Sequence, residues 1–248
     1  MNEKEMPAIV DVPAASEVRR ADQKLARPRD AATLLLYRNV AGRTEVLMGE
    51  RHGRHRFMPN RYVFPGGRLD RAAAHMRAVA ELRPDVASRL ARGCRAPDPA
   101  RRARALALAA IRETFEETGL ALGRPDPRPG AATPRSWNEF AATGLMPALD
   151  ALDYLARAIT PPYRPVRFDA RFFVADASLA RGEIGGSGEL RNLAWLAIDE
   201  ARRLPLMDIT AIVLDRRTHY LAAPPAADPA RPVPLYRMRH GRQGVESE

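Results

Sequence analysis

The chain of 248 residues is 46% hydrophobic, long enough to bury a sizeable core as one elaborated domain. Its net charge of +10, carried by 38 Arg against only Lys4 and Lys24, draws phosphate esters and other anions toward the surface without choosing among them. The lone Cys94 excludes an intramolecular disulfide, and with no signal-peptide core in residues 1–30 and no apolar run of membrane length, the cytoplasm is expected and a membrane partner is not.

Residues 1–29 are charged and proline-punctuated and read as a flexible segment, 30–223 as the folded domain and 224–248 as an irregular tail. The apolar run Ala31 to Tyr37, a turn at Gly42 and a returning run Glu45 to Met48 predict a β-hairpin. An Arg- and His-rich loop over 49–61 leads into a short strand, Tyr62 to Phe64, and then Pro65-Gly66-Gly67. Met76, Val79 and Leu82 at helical spacing, Pro84 as an interruption and Gly93 as a stop predict two helices within residues 70–97, forming either a cap beside a substrate cleft or a dimer surface. His75 has no His or Cys at ligand spacing, which argues against a metal there.

Asp98 as N-cap, Pro99 at the first helical position and Gly119 as C-cap bound a helix from Pro99 to Thr118, with Leu108, Ile111 and Phe115 as its apolar stripe. Beyond a Pro/Gly/Arg loop at 123–135, Trp137 to Phe140 and Leu149 to Ile159 read as helical, the latter from the spacing of Leu152, Leu155 and Ile159. Arg167 to Val174 predicts a strand, Gly185 to Gly188 a turn, Leu193 to Ile198 a strand, and Asp199 to Leu204 and Asp208 to Tyr220 helices. Such an order belongs to an α/β sandwich. Neither a basic helix with interleaved aromatics nor a zinc-finger spacing is present, which argues against nucleic acid as a partner.

The chemistry concentrates in Arg112-Glu113-Thr114-Phe115-Glu116-Glu117-Thr118-Gly119-Leu120. Glu113, Glu116 and Glu117 lie three and four apart on one helix surface, repel each other and face the negative end of the helix dipole. A cation should compensate them. Hard Mg²⁺ or Mn²⁺ suits carboxylate oxygens and substrate phosphates.

With Phe64-Pro65-Gly66-Gly67 upstream, this segment resembles the signature of the Nudix hydrolase family. Thr114 stands where an aliphatic residue is usual. Ala73 stands where the signature has its first glutamate, with Asp70 the nearest substitute, and Arg112 lies 45 positions after Gly67 because an insertion of about 31 residues splits the box. The resemblance implies an α/β/α sandwich with a mixed sheet and divalent-metal-dependent hydrolysis of a diphosphate bond. It implies Glu116, Glu117, the Gly66 carbonyl and, six residues before Trp195, Glu189 as metal ligands, with Glu113 a third ligand or the general base. Arg112 would orient a glutamate.

Leu47, Arg51, Arg56 and Phe64 to Gly67 further resemble a motif that precedes the box in coenzyme A diphosphatases of this family, with His52 where Ser is usual and Asn60 where Gly is usual. The split box and Arg167 to Phe173 after Thr160-Pro161-Pro162 also look like the branch with peroxisomal mammalian members, although this chain ends Glu-Ser-Glu rather than in a Ser-Lys-Leu-type signal. That resemblance implies cleavage of coenzyme A or acyl-coenzyme A, with Arg51, Arg56 and Gly67 at the substrate. The alternatives are hydrolysis of ADP-ribose, NADH or nucleoside triphosphates, and a catalytically silent nucleotide-binding regulatory domain. A small nucleotide-type ligand is the expected partner, and a homodimer is an open expectation.

Overall fold

The computed structural model describes residues 25–53, 58–70, 73–128, 133–239 and 242–248. Its strands are β1 (Arg29–Val40), β2 (Arg43–Arg51), β3 (Tyr62–Val63), β4 (Gly66–Arg68), β5 (Ala121–Arg124), β6 (Met146–Pro147), β7 (Asp153–Ile159), β8 (Phe168–Asp176), β9 (Ala180–Arg181), β10 (Leu190–Ala197), β11 (Pro234–Arg239) and β12 (Arg242–Ser247). Its helices are α1 (Pro84–Arg92), α2 (Pro99–Thr118), α3 (Asn138–Ala142), α4 (Ile198–Ala201) and α5 (Asp208–Ala222).

The main sheet runs β10-β2-β1-β8-β7-β11-β12, with β3 added to β2 and β4 to β1. Pairing is parallel at β1–β8 and β7–β11 and antiparallel elsewhere, so the sheet is mixed. Successive side chains of a strand point to opposite faces. Leu34 and Leu36 accordingly join a core with Leu106, Ile111 and Trp137, whereas Leu35 joins Val213 and Leu221 on the other side. Each buried Leu contributes roughly 1.5–3 kcal/mol, and the two cores clamp the sheet between α2 and α5. The result is the expected α/β/α sandwich.

The helix carrying the carboxylates has the predicted limits. Asp98 accepts the Arg101 backbone N–H at 2.9 Å, Pro99 opens the helix, and Gly119 ends it at φ 76°. Thr114 is fully buried, yet its hydroxyl donates to the Ala110 carbonyl at 2.7 Å, so the polar atom is satisfied within the helix.

Three expectations are corrected. Leu149 to Ile159 is not a helix but a short 3₁₀ turn followed by β7, with Tyr154 facing one core and Leu155 and Ala156 the other. A strand buried on both faces is apolar at nearly every position, so it also matches helical spacing. Among the described residues of 70–97 there is one α-helix, opened rather than interrupted by Pro84, and Met76, Val79 and Leu82 lie in a non-helical stretch whose Ala80 bridges to Ala148. The C-terminal segment is not an irregular tail: Pro234–Arg239 and Arg242–Ser247 are the paired strands β11 and β12, which widen the sheet.

The insertion is part of the core. Met76, Val86, Leu90 and Cys94 pack in the same cluster as α2. Fully buried Arg89 donates to Asp85 at 2.9 Å, to Asp153 at 2.5 Å and to the Tyr154 carbonyl at 3.0 Å, tying α1 to β7.

Candidate active site

The Pro-Gly-Gly turn is placed by β1. Ala32 pairs with Gly67 and Thr33 with Gly66, while the Leu34 N–H donates to the Pro65 carbonyl at 2.9 Å. A side chain on Gly66 would meet the Ala32 carbonyl at 2.5 Å, so only glycine lets β4 lie this close to β1. This register brings the turn against the last turns of α2. The Gly66 N–H donates to the Glu117 carboxylate at 2.8 Å, and a Cβ on Gly67 would fall 2.0 Å from a Glu113 carboxylate oxygen.

Arg112 sits between the other two carboxylates, donating through one terminal nitrogen to Glu113 and through the other to Glu116. Across the cleft, β10 pairs with β2 so that Leu190 stands opposite Arg51, and the His52 N–H donates to the Glu189 carbonyl at 3.4 Å. Arg51, Gly66, Gly67, Arg112, Glu113, Glu116, Glu117 and Glu189, from four separate segments, thus line one cleft of about 1280 Å³, and Asp70 is part of the same lining. Arg56 lies outside the described residues.

The electrostatics are those of crowded, half-dry acids. Burial pushes Glu113 up to about 7, with Arg112 opposing and Glu116 and Glu189 adding to the rise. Burial pushes Glu117 up to about 8 against the Gly66 N–H, with Glu113 and Glu189 raising it and Arg51 lowering it. Arg51 responds in the opposite sense: burial weakens its hold on its proton while Glu117 and Glu189 strengthen it. The crowding of Glu113, Glu117 and Glu189 would be offset by added positive charge, though Arg51, Arg68 and Arg112 also line the cleft.

A divalent ion would supply that charge, and the donors are the hard oxygens that Mg²⁺ and Mn²⁺ take. Among the described residues no three His, Cys, Asp or Glu side chains converge as a ready-made ligand cluster. Arg112 draws Glu113 and Glu116 to itself, so both would turn from it to share an ion with Glu117. The donor set fits the ion; the rotamers shown are those of the ion pair.

No family model matches the chain, and no curated protein matches it. A crystal structure of a Nudix hydrolase from Alicyclobacillus acidocaldarius is 32% identical at a TM-score of 0.60, with 77% of this chain and 91% of that one covered. The chain belongs to the Nudix hydrolase family. It is a Nudix pyrophosphohydrolase. The MutT protein of Bacillus halodurans, 12% identical at a TM-score of 0.45 over 89% of this chain and 97% of that one, is a more distant likeness. So is the MutT Nudix hydrolase of Burkholderia pseudomallei, 19% identical at 0.44 over 78% and 100%.

The sequence missed much of the cleft wall in this Nudix hydrolase. Beyond the carboxylates the cleft runs along the α5 face of the sheet, past Ala170 and Phe172 of β8, Ile209 and Ile212 of α5, and Tyr236 and Met238 of β11. No local motif marks these positions; the sheet order assembles them. No helix among the described residues is long and apolar enough to cross a membrane.

Proposed function

We propose that this Nudix hydrolase cleaves the diphosphate of coenzyme A or an acyl-coenzyme A. A water oxygen bonds to one phosphorus as the bridging P–O bond breaks, giving 3′,5′-ADP and (acyl-)4′-phosphopantetheine. Glu116 and Glu117 would hold the metal, with Glu189 and the Gly66 carbonyl as further donors, and Glu113 would either join them or take the water proton. A bound Mg²⁺ or Mn²⁺ supplies charge neutralisation, polarisation of phosphorus and activation of water.

The chain's own groups set the rest. Arg112 holds Glu113 and Glu116 together, and the Gly66 N–H fixes Glu117. Gly67 leaves the space that the Glu113 carboxylate needs. Arg51 and Arg56 would fork onto substrate phosphates, as a guanidinium does with dense phosphate charge.

The observation that carries the coenzyme A reading is the position of Arg51, on the wall of the same cleft as Glu113 and Glu117. Coenzyme A bears a 3′-phosphate in addition to its diphosphate, which a second cationic group rewards. The test is product analysis after incubation with Mg²⁺ or Mn²⁺ and a panel of coenzyme A, ADP-ribose, NADH and nucleoside triphosphates. Formation of 3′,5′-ADP and 4′-phosphopantetheine at the highest kcat/KM is the expected result; intact coenzyme A beside cleaved ADP-ribose would sink it.

A further inference from the structure

The cleft that holds the carboxylates does not end with them. At about 1280 Å³ it exceeds the roughly 300–1,000 Å³ of an ordinary small-ligand site, and its further part runs across the α5 face of the sheet. We infer that this extension is a gallery for a linear apolar chain joined to the diphosphate of the substrate, and that chain length selects the substrate. An acyl chain on coenzyme A and a prenyl chain on a bare diphosphate share this chemistry.

The sheet register lays the floor. Arg68 of β4 stands opposite Ala31 of β1, Ala31 opposite Ala170 of β8, Ala170 opposite Ala158 of β7, and Ala158 opposite Tyr236 of β11. All five line the cleft, so it crosses four strand spacings, roughly 19 Å at 4.7–4.9 Å each. Phe172 borders this floor, and Met207, Ile209 and Met238 stand half-buried along it. Methionine adapts its shape, which suits a flexible occupant.

The outer wall, the β7–β8 connection with Tyr163 and Val166, is held in place before any ligand arrives. The Thr160 N–H donates to the Phe168 carbonyl at 2.9 Å, the Phe168 N–H to the Thr160 hydroxyl at 3.0 Å, and Arg167 to the Thr160 carbonyl at 3.0 Å. Pro161, Pro162 and Pro165 stiffen the same segment.

Charge in the lining is unevenly placed. Arg29, Asp30, Arg68, Asp70 and Arg102 belong to its β1, β4 and α2 end, whereas the gallery has Arg164, Asp208 and Arg237. Arg164 is buried with its guanidinium 5.5 Å from the Tyr163 ring centroid, Arg237 donates to Glu246 at 2.8 Å, and Asp208 opens α5. A nucleobase would leave its donors and acceptors unmet against alanine, isoleucine and methionine, which is costly. A methylene chain requires only burial.

The inference rests on the diphosphatase reading but not on coenzyme A, and the experiment separates them. Calorimetry of the intact protein with Mg²⁺ and ethyl, hexyl and dodecyl phosphate should show affinity rising by roughly fourfold per methylene buried, with a heat-capacity change that grows more negative with length. Across coenzyme A and its acetyl, hexanoyl and decanoyl thioesters, KM should fall with length while kcat changes little. Ala170→Leu narrows the floor and Met238→Glu sets a carboxylate beside it; in whichever variant keeps a cooperative melt, the gain per methylene should drop to about twofold or less. Alkyl phosphates bound equally at every length, or a slope unchanged in both folded variants, would overturn the gallery and leave coenzyme A cleavage untouched. If no coenzyme A compound is cleaved but the alkyl phosphate slope holds and water splits farnesyl diphosphate into farnesyl phosphate and phosphate, the coenzyme A reading falls and the gallery stands.

Discussion

The Glu117 carboxylate accepts the Gly66 backbone N–H at 2.8 Å across 51 positions of sequence, with the whole insertion folded in between. The contact joins the turn and the helix that a split signature separates, so the insertion leaves the two halves in register.

Replacing Glu117 by Gln keeps a carbonyl oxygen for the Gly66 N–H and removes the charge. Metal-dependent turnover should then fall by at least a hundredfold, roughly 3 kcal/mol of transition-state stabilisation. Without metal the variant should melt at the same temperature as the parent or higher, because a buried acid in an acidic cluster is unfavourable when ionised. Turnover within a fewfold of the parent would remove Glu117 from the site.

The same crowding sets a pH dependence for the metal-free protein. Glu117 and Glu113 are raised in the fold to about 8 and about 7. Groups raised in this way favour the folded state fully below their unfolded values near 4.5, and that contribution is lost as pH rises through 7 to 8. Melting temperature in EDTA should therefore decline between about pH 5 and 8, and saturating Mn²⁺ should reverse the decline. A flat profile in EDTA would contradict the burial of these acids.

The α2 segment was legible because its signals are local: Asp98, Pro99 and Gly119 mark its ends, and the carboxylate spacing is that of one helix face. The hairpin of β1 and β2 was legible for the same reason. What failed were strands made by the sheet rather than by their own pattern. β7 is buried on both faces and copies helical spacing, and β11 takes its form from pairing with β7, and β12 from pairing with β11, more than from their composition. Glu189 and Arg51 carried motif signals of their own, but the β2–β10 register that brings them to the carboxylates is encoded in no local pattern.

Gly186 supports α2 by backbone proximity, so its side chain matters by absence. Gly186→Ala requires both a shift away from the Glu117 carbonyl and a left-handed φ of 114° in an L-residue. Strain of this kind costs on the order of 1–3 kcal/mol. The variant should melt several degrees lower and lose turnover on every substrate alike, and hydrogen exchange should show the amides of residues 185–187 opening first. An unaltered melt would mean that the loop does not cap the helix.

Arg89 tests whether the insertion is structural. It is fully buried, and its partner Asp153, pushed up by burial, is held down to about 2 by Tyr220, Arg231 and Arg89. Arg89→Met leaves Asp153 with Tyr220, Arg231 and Arg83 and leaves Asp85 with Arg83, so the loss should stay below the roughly 3–5 kcal/mol of a fully broken buried pair, a drop of less than about 10 °C in a domain of this size. Replacing residues 72 to 95 by a short linker removes Met76, Val86 and Leu90 as well and should give insoluble or unfolded protein rather than altered selectivity. A soluble, cooperatively melting deletion would show that the cluster closes without the insertion.

Arg51 bears on the substrate itself. Its guanidinium is desolvated on the cleft wall, within the fields of Glu117 and Glu189, and burial alone disfavours its charge. An anionic ligand would offset that cost, and a ligand with more phosphate charge would offset more of it. Coenzyme A carries a 3′-phosphate that ADP-ribose lacks, so Arg51→Ala should reduce kcat/KM for coenzyme A by roughly ten- to a hundredfold, the ~1.5–3 kcal/mol of a charge-assisted contact, and for ADP-ribose by less. Arg56→Ala should follow the same order. The sharpest form of the measurement uses 3′-dephospho-coenzyme A, which keeps both arms and the diphosphate: if Arg51 reads the extra phosphate, the variant should treat the two coenzymes nearly alike while the parent prefers the phosphorylated one. Equal losses on all three substrates would assign Arg51 to the diphosphate or to the fold of the cleft and withdraw it as the source of coenzyme A selectivity.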